Sequence, residues 1–118
     1  MVAAVVQLTK RGQIFALDRA TGKPIADVIE KPAPTNVVKD DHASATQPYS
    51  VGLPQIGNEP LTEADMWGAT FLDQLWCRIE FKRKRYDGEF TLASEDDVNL
   101  QYPGNYGGFN WGSAAVDQ

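Results

Sequence analysis

The sequence predicts a mainly β chain that carries one short helix. Three observations point there. The first thirty residues alternate β-branched apolar runs with glycine and aspartate turn signals. Helical spacing recurs in one place, directly after a Thr-x-x-Asp box at Thr70 and Asp73. The C-terminal stretch spaces glycines among aromatics, which suits close backbone packing rather than a helix.

Val2 to Leu8 is a β-branched, apolar run and predicts a central strand. Gly12 interrupts it. Gln13 to Asp18 predicts a second strand, with Ile14 and Ala16 on one face and Phe15 and Leu17 on the other. "DRATG" at 18–22 predicts a hairpin turn, because Asp18 can accept from the amides ahead of it and Gly22 can adopt positive φ. "KPIADV" then continues as the return strand, at an edge, since Pro24 removes one donor.

Residues 30–60 hold five of the seven prolines, at positions 32, 34, 48, 54 and 60, and show no period. They predict a long loop, of a length that points to function or to packing against another element. Order returns at 61–91. Phe71, Leu72, Leu75, Trp76 and Ile79 recur at helical spacing and predict a helix over 71–78. Ile79 to Tyr86 alternates as a strand, and "YDGEFT" at 86–91 turns into another. In 92–118, an acidic loop precedes Tyr102, Tyr106, Phe109 and Trp111, interleaved with glycines at 104, 107, 108 and 112. That tail is either a tight inter-strand corner or a ligand contact. The chain thus divides into a hairpin (1–29), a long loop (30–60), a helix with strands (61–91) and a Gly/aromatic section (92–118), all in a single partial domain.

Charge excludes some functions. A net charge of −5 argues against general nucleic-acid binding, which needs a basic face. "KRKR" at 82–85 is short and reads as a solvated strand face. Cys77 is the only cysteine, so no intrachain disulfide forms, and its apolar neighbours predict a buried, inert thiol. His42 has no partner at metal-ligand spacing. Glu95, Asp96 and Asp97 lack the alternate spacing and glycine of an EF-hand and read as a solvated loop. Trp67 and Trp76 are expected to pack the helix against a sheet, and Asp65 and Asp73 to cap helices. No apolar run is long enough to cross a bilayer. The opening "MVAAVVQL" looks like a buried strand whose upstream sequence has been replaced by an initiator Met.

Several of these strings carry a resemblance. "ALDRATGKPI" (Ala16–Ile25) resembles the strand-turn-strand repeat of quinoprotein β-propellers, with Ile25 at the position of the usual terminal tryptophan. "LTEADMWGATFLDQLWCRIEFKRKRYDGEFT" and "YPGNYGGFNWGSAAVD" are similar to stretches of the membrane-bound dehydrogenases of glucose and quinate that depend on pyrroloquinoline quinone (PQQ). The similarity runs from about Val6 to Asp117. It implies an internal section of an eight-bladed propeller, with any membrane helices upstream.

The resemblance also implies site residues. Lys10, just before the "GQIFALDR" strand, matches a lysine that approaches the ortho-quinone oxygens of PQQ. A cation there would polarise the carbonyl and stabilise negative charge as hydride arrives. Asn110 and Trp111, in "GGFNWG", match a second segment near the cofactor. There an amide can hydrogen-bond the quinone and an indole can pack on a flat ring. The alternative is that Trp111 anchors a core and Asn110 caps a turn. The family's aspartate base and its calcium or magnesium site would lie upstream of Lys10, so the chain alone is expected to be inactive. The implied parent oxidises a sugar or cyclic polyol, passes electrons to ubiquinone and works at the periplasmic face of the bacterial inner membrane. The competing reading is a non-enzymatic, β-rich interaction or structural module. On either reading, unpaired strand edges predict association into oligomers.

Overall fold

A computed structural model describes residues 2–35, 38–39, 42–57 and 59–115. Met1 and the last three residues of the Gly/aromatic section lie outside the described residues. The elements are β1 (Ala4–Leu8), β2 (Ile14–Asp18), β3 (Val28–Pro32), β4 (Thr46–Ser50), a 3₁₀ turn (Glu63–Asp65) and helix α1 (Phe71–Arg83). The chain divides into two compact units, one holding 1–32, 46–59 and 103–118 and the other 33–45 and 60–102.

In the first unit, β1 and β2 form an antiparallel hairpin whose register runs from Ala4 opposite Asp18 to Leu8 opposite Ile14. A five-residue turn, Thr9–Gln13, joins them. The central strand expected at β1 has only β2 as a neighbour among the described residues, and Val5 and Val6 are exposed. A β-branched run reads alike whether one edge is paired or both, so composition does not distinguish the two.

The Asp18 turn forms as its chemistry requires. Asp18 Oδ1 accepts from the amides of Ala20 and Thr21, both at 2.8 Å, and the Gly22 amide donates to the Asp18 carbonyl at φ +71°. The return strand, however, contracts to a single bridge between Leu17 and Pro24, with the Ile25 amide donating to Ala16. The Asp18 amide donates to the Lys23 carbonyl on the other side of that bridge, so Pro24 occupies a non-bonded position where its missing N–H costs nothing.

The expected long loop at 30–60 instead contains all of β4 and the last three residues of β3, which form a second antiparallel pair. Prolines concealed it. The Val51 amide donates to the Asp27 carbonyl, so alternate pairs along the ladder are hydrogen-bonded. Glu30–Pro48 and Pro32–Thr46 then fall on the non-bonded positions, where a missing N–H costs nothing. The Lys31 ammonium stands 4.2 Å from the centre of the Tyr49 ring. Among the described residues no hydrophobic side chain is buried; the deepest side chain is Gln13, 2% exposed, with Ser50 beside it in burial.

In the second unit, Asp65 accepts from the Thr62 amide and hydroxyl at 2.7 and 2.8 Å. Thr70 and Asp73 form the reciprocal box at the start of α1: the Asp73 amide donates to Thr70 Oγ1 at 3.2 Å, and the Thr70 amide to Asp73 Oδ2 at 3.1 Å. Both aspartates cap, as their spacing predicts. The helix runs on to Arg83, so the strand expected at 79–86 is mostly helix. Charge explains the extension. Glu80 pairs with Arg83 at 2.9 Å, Glu63 pairs with Arg78 and Lys82, and a basic last turn suits the helix C-terminus. "KRKR" is thus a helix end and its exit, not a strand face. After Gly88 the chain turns, with the Thr91 amide on the Gly88 carbonyl, and no strand follows; Arg85 instead bridges to Asn99.

The tryptophans do not pack as expected. Trp67 is 78% and Trp76 61% exposed, along with Phe71, Leu72 and Leu75. Helical spacing aligned an apolar stripe, and the described residues supply nothing to cover it. Cys77 is half-buried rather than buried. No described helix is long and apolar enough to cross a membrane.

Candidate functional site

Lys10, Asn110 and Trp111, separated by a hundred residues of sequence, line one open groove of about 500 Å³ in the first unit. The end of β1 contributes Val6, Gln7 and Leu8, the following turn contributes Lys10, and the C-terminal segment contributes Phe109, Asn110, Trp111 and Ser113.

Local geometry accounts for this meeting. The Thr9–Gln13 turn closes on itself: the Gly12 amide donates to Thr9 O at 3.0 Å, and Thr9 Oγ1 bonds Gln13 O at 3.0 Å. Its outer side faces the tail. The Gly108 amide donates to the Lys10 carbonyl at 2.7 Å. A Cβ on Gly107 would strike Lys10, and one on Gly108 would lie 2.9 Å from Gly12 Cα. The glycine pair is therefore what lets two backbones touch. Lys10 Nζ donates to the Tyr106 carbonyl at 3.1 Å and to Asn110 Oδ1. The Ser113 amide then closes a turn on Asn110 O, with Ser113 itself at φ +47°, and Trp111 projects from that turn.

Trp111 is fully exposed, so it is not a core anchor. The Asn110 backbone starts a turn, but its side chain faces Lys10. Among the described residues, Lys10 is the only ionisable side chain that lines the groove, and its ammonium bonds two neutral oxygens. The groove thus offers one cation, one amide, an indole face and an apolar wall. That set suits a flat, electron-rich or anionic group. Sequence reading missed Gln7 and Ser113; of the supporting contacts, only the Gly107–Gly108 pair left a signal.

The remaining charge clusters have local duties. Arg78 and Lys82 line a smaller groove on α1 but are paired to Glu63. Ser94 Oγ accepts from the amides of Asp96 and Asp97, which makes the acidic loop a side-chain-capped turn. Among the described residues, no three His, Cys, Asp or Glu side chains are grouped to hold a metal ion.

The chain belongs to the PQQ family of glucose/ethanol/alcohol dehydrogenase β-propeller domains, whose family model matches residues 1–118. The mainly β architecture of small antiparallel sheets with one helix agrees with that assignment. Over 114 residues the chain is 56% identical to quinate/shikimate dehydrogenase (quinone) of Acinetobacter baylyi, covering 97% of this chain and 14% of that protein. It is 52% identical to the glycerol dehydrogenase large subunit of Gluconobacter thailandicus, covering 98% of this chain and 16% of that protein. It is 44% identical to quinoprotein glucose dehydrogenase of Escherichia coli, covering 98% and 14% respectively. The chain therefore spans about a seventh of the length of these relatives. No solved structure matches it.

Proposed function

We propose that this chain is a cofactor-facing section of a PQQ-dependent dehydrogenase that oxidises a sugar or polyol. Electrons pass to ubiquinone at the periplasmic face of the bacterial inner membrane. The observation that carries the reading is the convergence of Lys10, Asn110 and Trp111 on one groove where Lys10 is the sole ionisable group among the described residues. Identity of 44–56% to named dehydrogenases across nearly the whole chain favours it over a non-enzymatic module. A quinone acceptor is supported by the name of the quinate/shikimate relative. Siting at the membrane rests on the resemblance to membrane-bound members of the family.

The groove residues fit the cofactor. PQQ, when bound, supplies a flat, acidic ortho-quinone that accepts two electrons. Lys10 brings an ammonium that is already oriented by two oxygens, so little reorganisation is needed to face a developing negative charge. Trp111 offers an indole to a planar ring, and Val6 and Leu8 form an apolar wall. The general base and the calcium or magnesium site belong to sequence beyond these 118 residues.

Calorimetric titration of PQQ with calcium into the chain and into Lys10→Ala tests the reading. Weak binding by the chain is expected, and weaker binding by the variant. Equal affinities would overturn the role of Lys10. No dye reduction is expected from the chain alone with PQQ, calcium and glucose, quinate or glycerol; robust turnover would show that it already holds a complete site.

A further inference from the structure

We infer that Gln13 is a positioning residue for Lys10, an inference that rests on the reading of Lys10 as a cofactor contact. A lysine ammonium sits at the end of a long, flexible stem. Where it can reach is set by the backbone that carries it.

That backbone is the Thr9–Gln13 turn, and three hydrogen bonds to segments outside it are among those that hold it. The Gly108 amide donates to Lys10 O at 2.7 Å, and the Ile56 amide donates to Gly12 O at 2.9 Å. The third is made by a side chain: Gln13 Oε1 accepts from the Ser50 amide at 3.0 Å. Gln13 is also the most buried side chain among the described residues. A buried amide is costly unless it is bonded, and an apolar side chain would fill the same space at lower desolvation cost. Placing glutamine there favours one orientation of the turn over the packing of a generic core.

The neighbouring backbones leave little slack. A Cβ on Gly12 would collide with the Ile56 carbonyl, and one on Gly108 would lie 3.0 Å from the same oxygen. Segments 10–13, 50–56 and 107–110 therefore meet at backbone contact. Without the Gln13 bond the Ser50 amide loses its acceptor, and the turn, still bonded to the Ile56 amide through Gly12, can pivot about that contact. Lys10 would then shift against Asn110 and Trp111.

The test is a double-mutant cycle in the complete dehydrogenase polypeptide that carries this chain, read as the PQQ dissociation constant by fluorescence titration. Its four members are the parent, Gln13→Met, Lys10→Ala and the double variant. Gln13→Met is expected to raise the constant about tenfold, as loss of a supporting partner typically does. In the Lys10→Ala background the same change is expected to have almost no effect, because its route of action is gone. Multiplying factors in the double variant would overturn the inference, as would an unchanged constant for Gln13→Met. If Lys10→Ala itself leaves the constant unchanged, the reading of Lys10 fails and takes the inference with it. Should Gln13→Met not fold, Gly108→Ala loosens the same turn from the other side and enters the same cycle with the same expectations.

Discussion

Gly108 grips the carbonyl of Lys10 at 2.7 Å, while the ammonium of that lysine reaches Asn110, two residues further along the same segment. One short stretch of tail thus fixes both ends of a single lysine. Sequence separation near a hundred residues makes that arrangement dependent on the whole first unit, so the site reports on local stability as well as chemistry.

Asn110 presents a neutral acceptor to Lys10, and neutrality matters if the groove is to receive an acidic cofactor. Asn110→Asp is expected to pair with the ammonium and compete with the ligand. PQQ affinity should fall, and the loss should shrink as salt is raised, since screening weakens the new pair. Titrations at low and high ionic strength check this; an affinity gain at low salt would contradict it.

Gly12 sits at φ +75° with no room for a side chain. Gly12→Ala is expected to cost at least about 1–3 kcal/mol from backbone strain, with the clash against Ile56 in addition. Urea unfolding followed in the first unit measures it, and a change within about 0.5 kcal/mol would show that the turn relaxes freely.

Among the described residues, three carboxyls have their pKa lowered. Thr21 and Ala20 amides lower Asp18, the Arg78 guanidinium and then Lys82 lower Glu63, and the Thr62 amide and hydroxyl lower Asp65. Each has a folded-state pKa below its unfolded one. Its contribution is therefore complete above the ordinary carboxylate pKa of about 4 and disappears as pH falls through the folded value. The urea midpoint should be flat from pH 7 to about 5 and drop below about 4. Asp18→Asn should flatten part of that drop; an unchanged acid limb would rule out its share.

Thr70→Ala removes the acceptor for the Asp73 amide at the start of α1. A loss of about 1 kcal/mol in helix stability is expected. Faster hydrogen exchange at the amides of Leu72 to Gln74, with the end of α1 less affected, would be its signature.

Phe71, Leu72, Leu75 and Trp76 are exposed along α1, and the β1–β2 and β3–β4 pairs have unpaired edges. The purified chain is therefore expected to associate. Sedimentation velocity should show a concentration-dependent rise, and Trp76→Lys should lower it; a single monomeric species across the micromolar range would refute association.

Local chemistry was the legible part. Asp18, Thr70 and Asp73 form the turn and the cap that their spacing requires, because those contacts lie within a few residues. The helix end was misplaced because Ile79 and Phe81 alternate locally while the deciding ion pairs involve Glu63 and Glu80. β3 and β4 were hidden because a proline's tolerance depends on ladder parity, which only the partner strand sets. Of the site, Lys10, Asn110 and Trp111 were reached through resemblance. Gln13 was read only as a strand start, since its partner Ser50 lies thirty-seven residues away.

Among the described residues of this chain, the deepest point is an amide side chain rather than a cluster of hydrocarbon. Several of the chain's large apolar side chains, Trp67, Phe71 and Trp111 among them, already face water, so unfolding would uncover less additional apolar surface than opening a closed core does. The heat-capacity increment should then lie well below the usual value of about 12–15 cal/mol/K per residue. Plotted against temperature, its free energy of unfolding would curve less than that of a domain built on a closed hydrocarbon core.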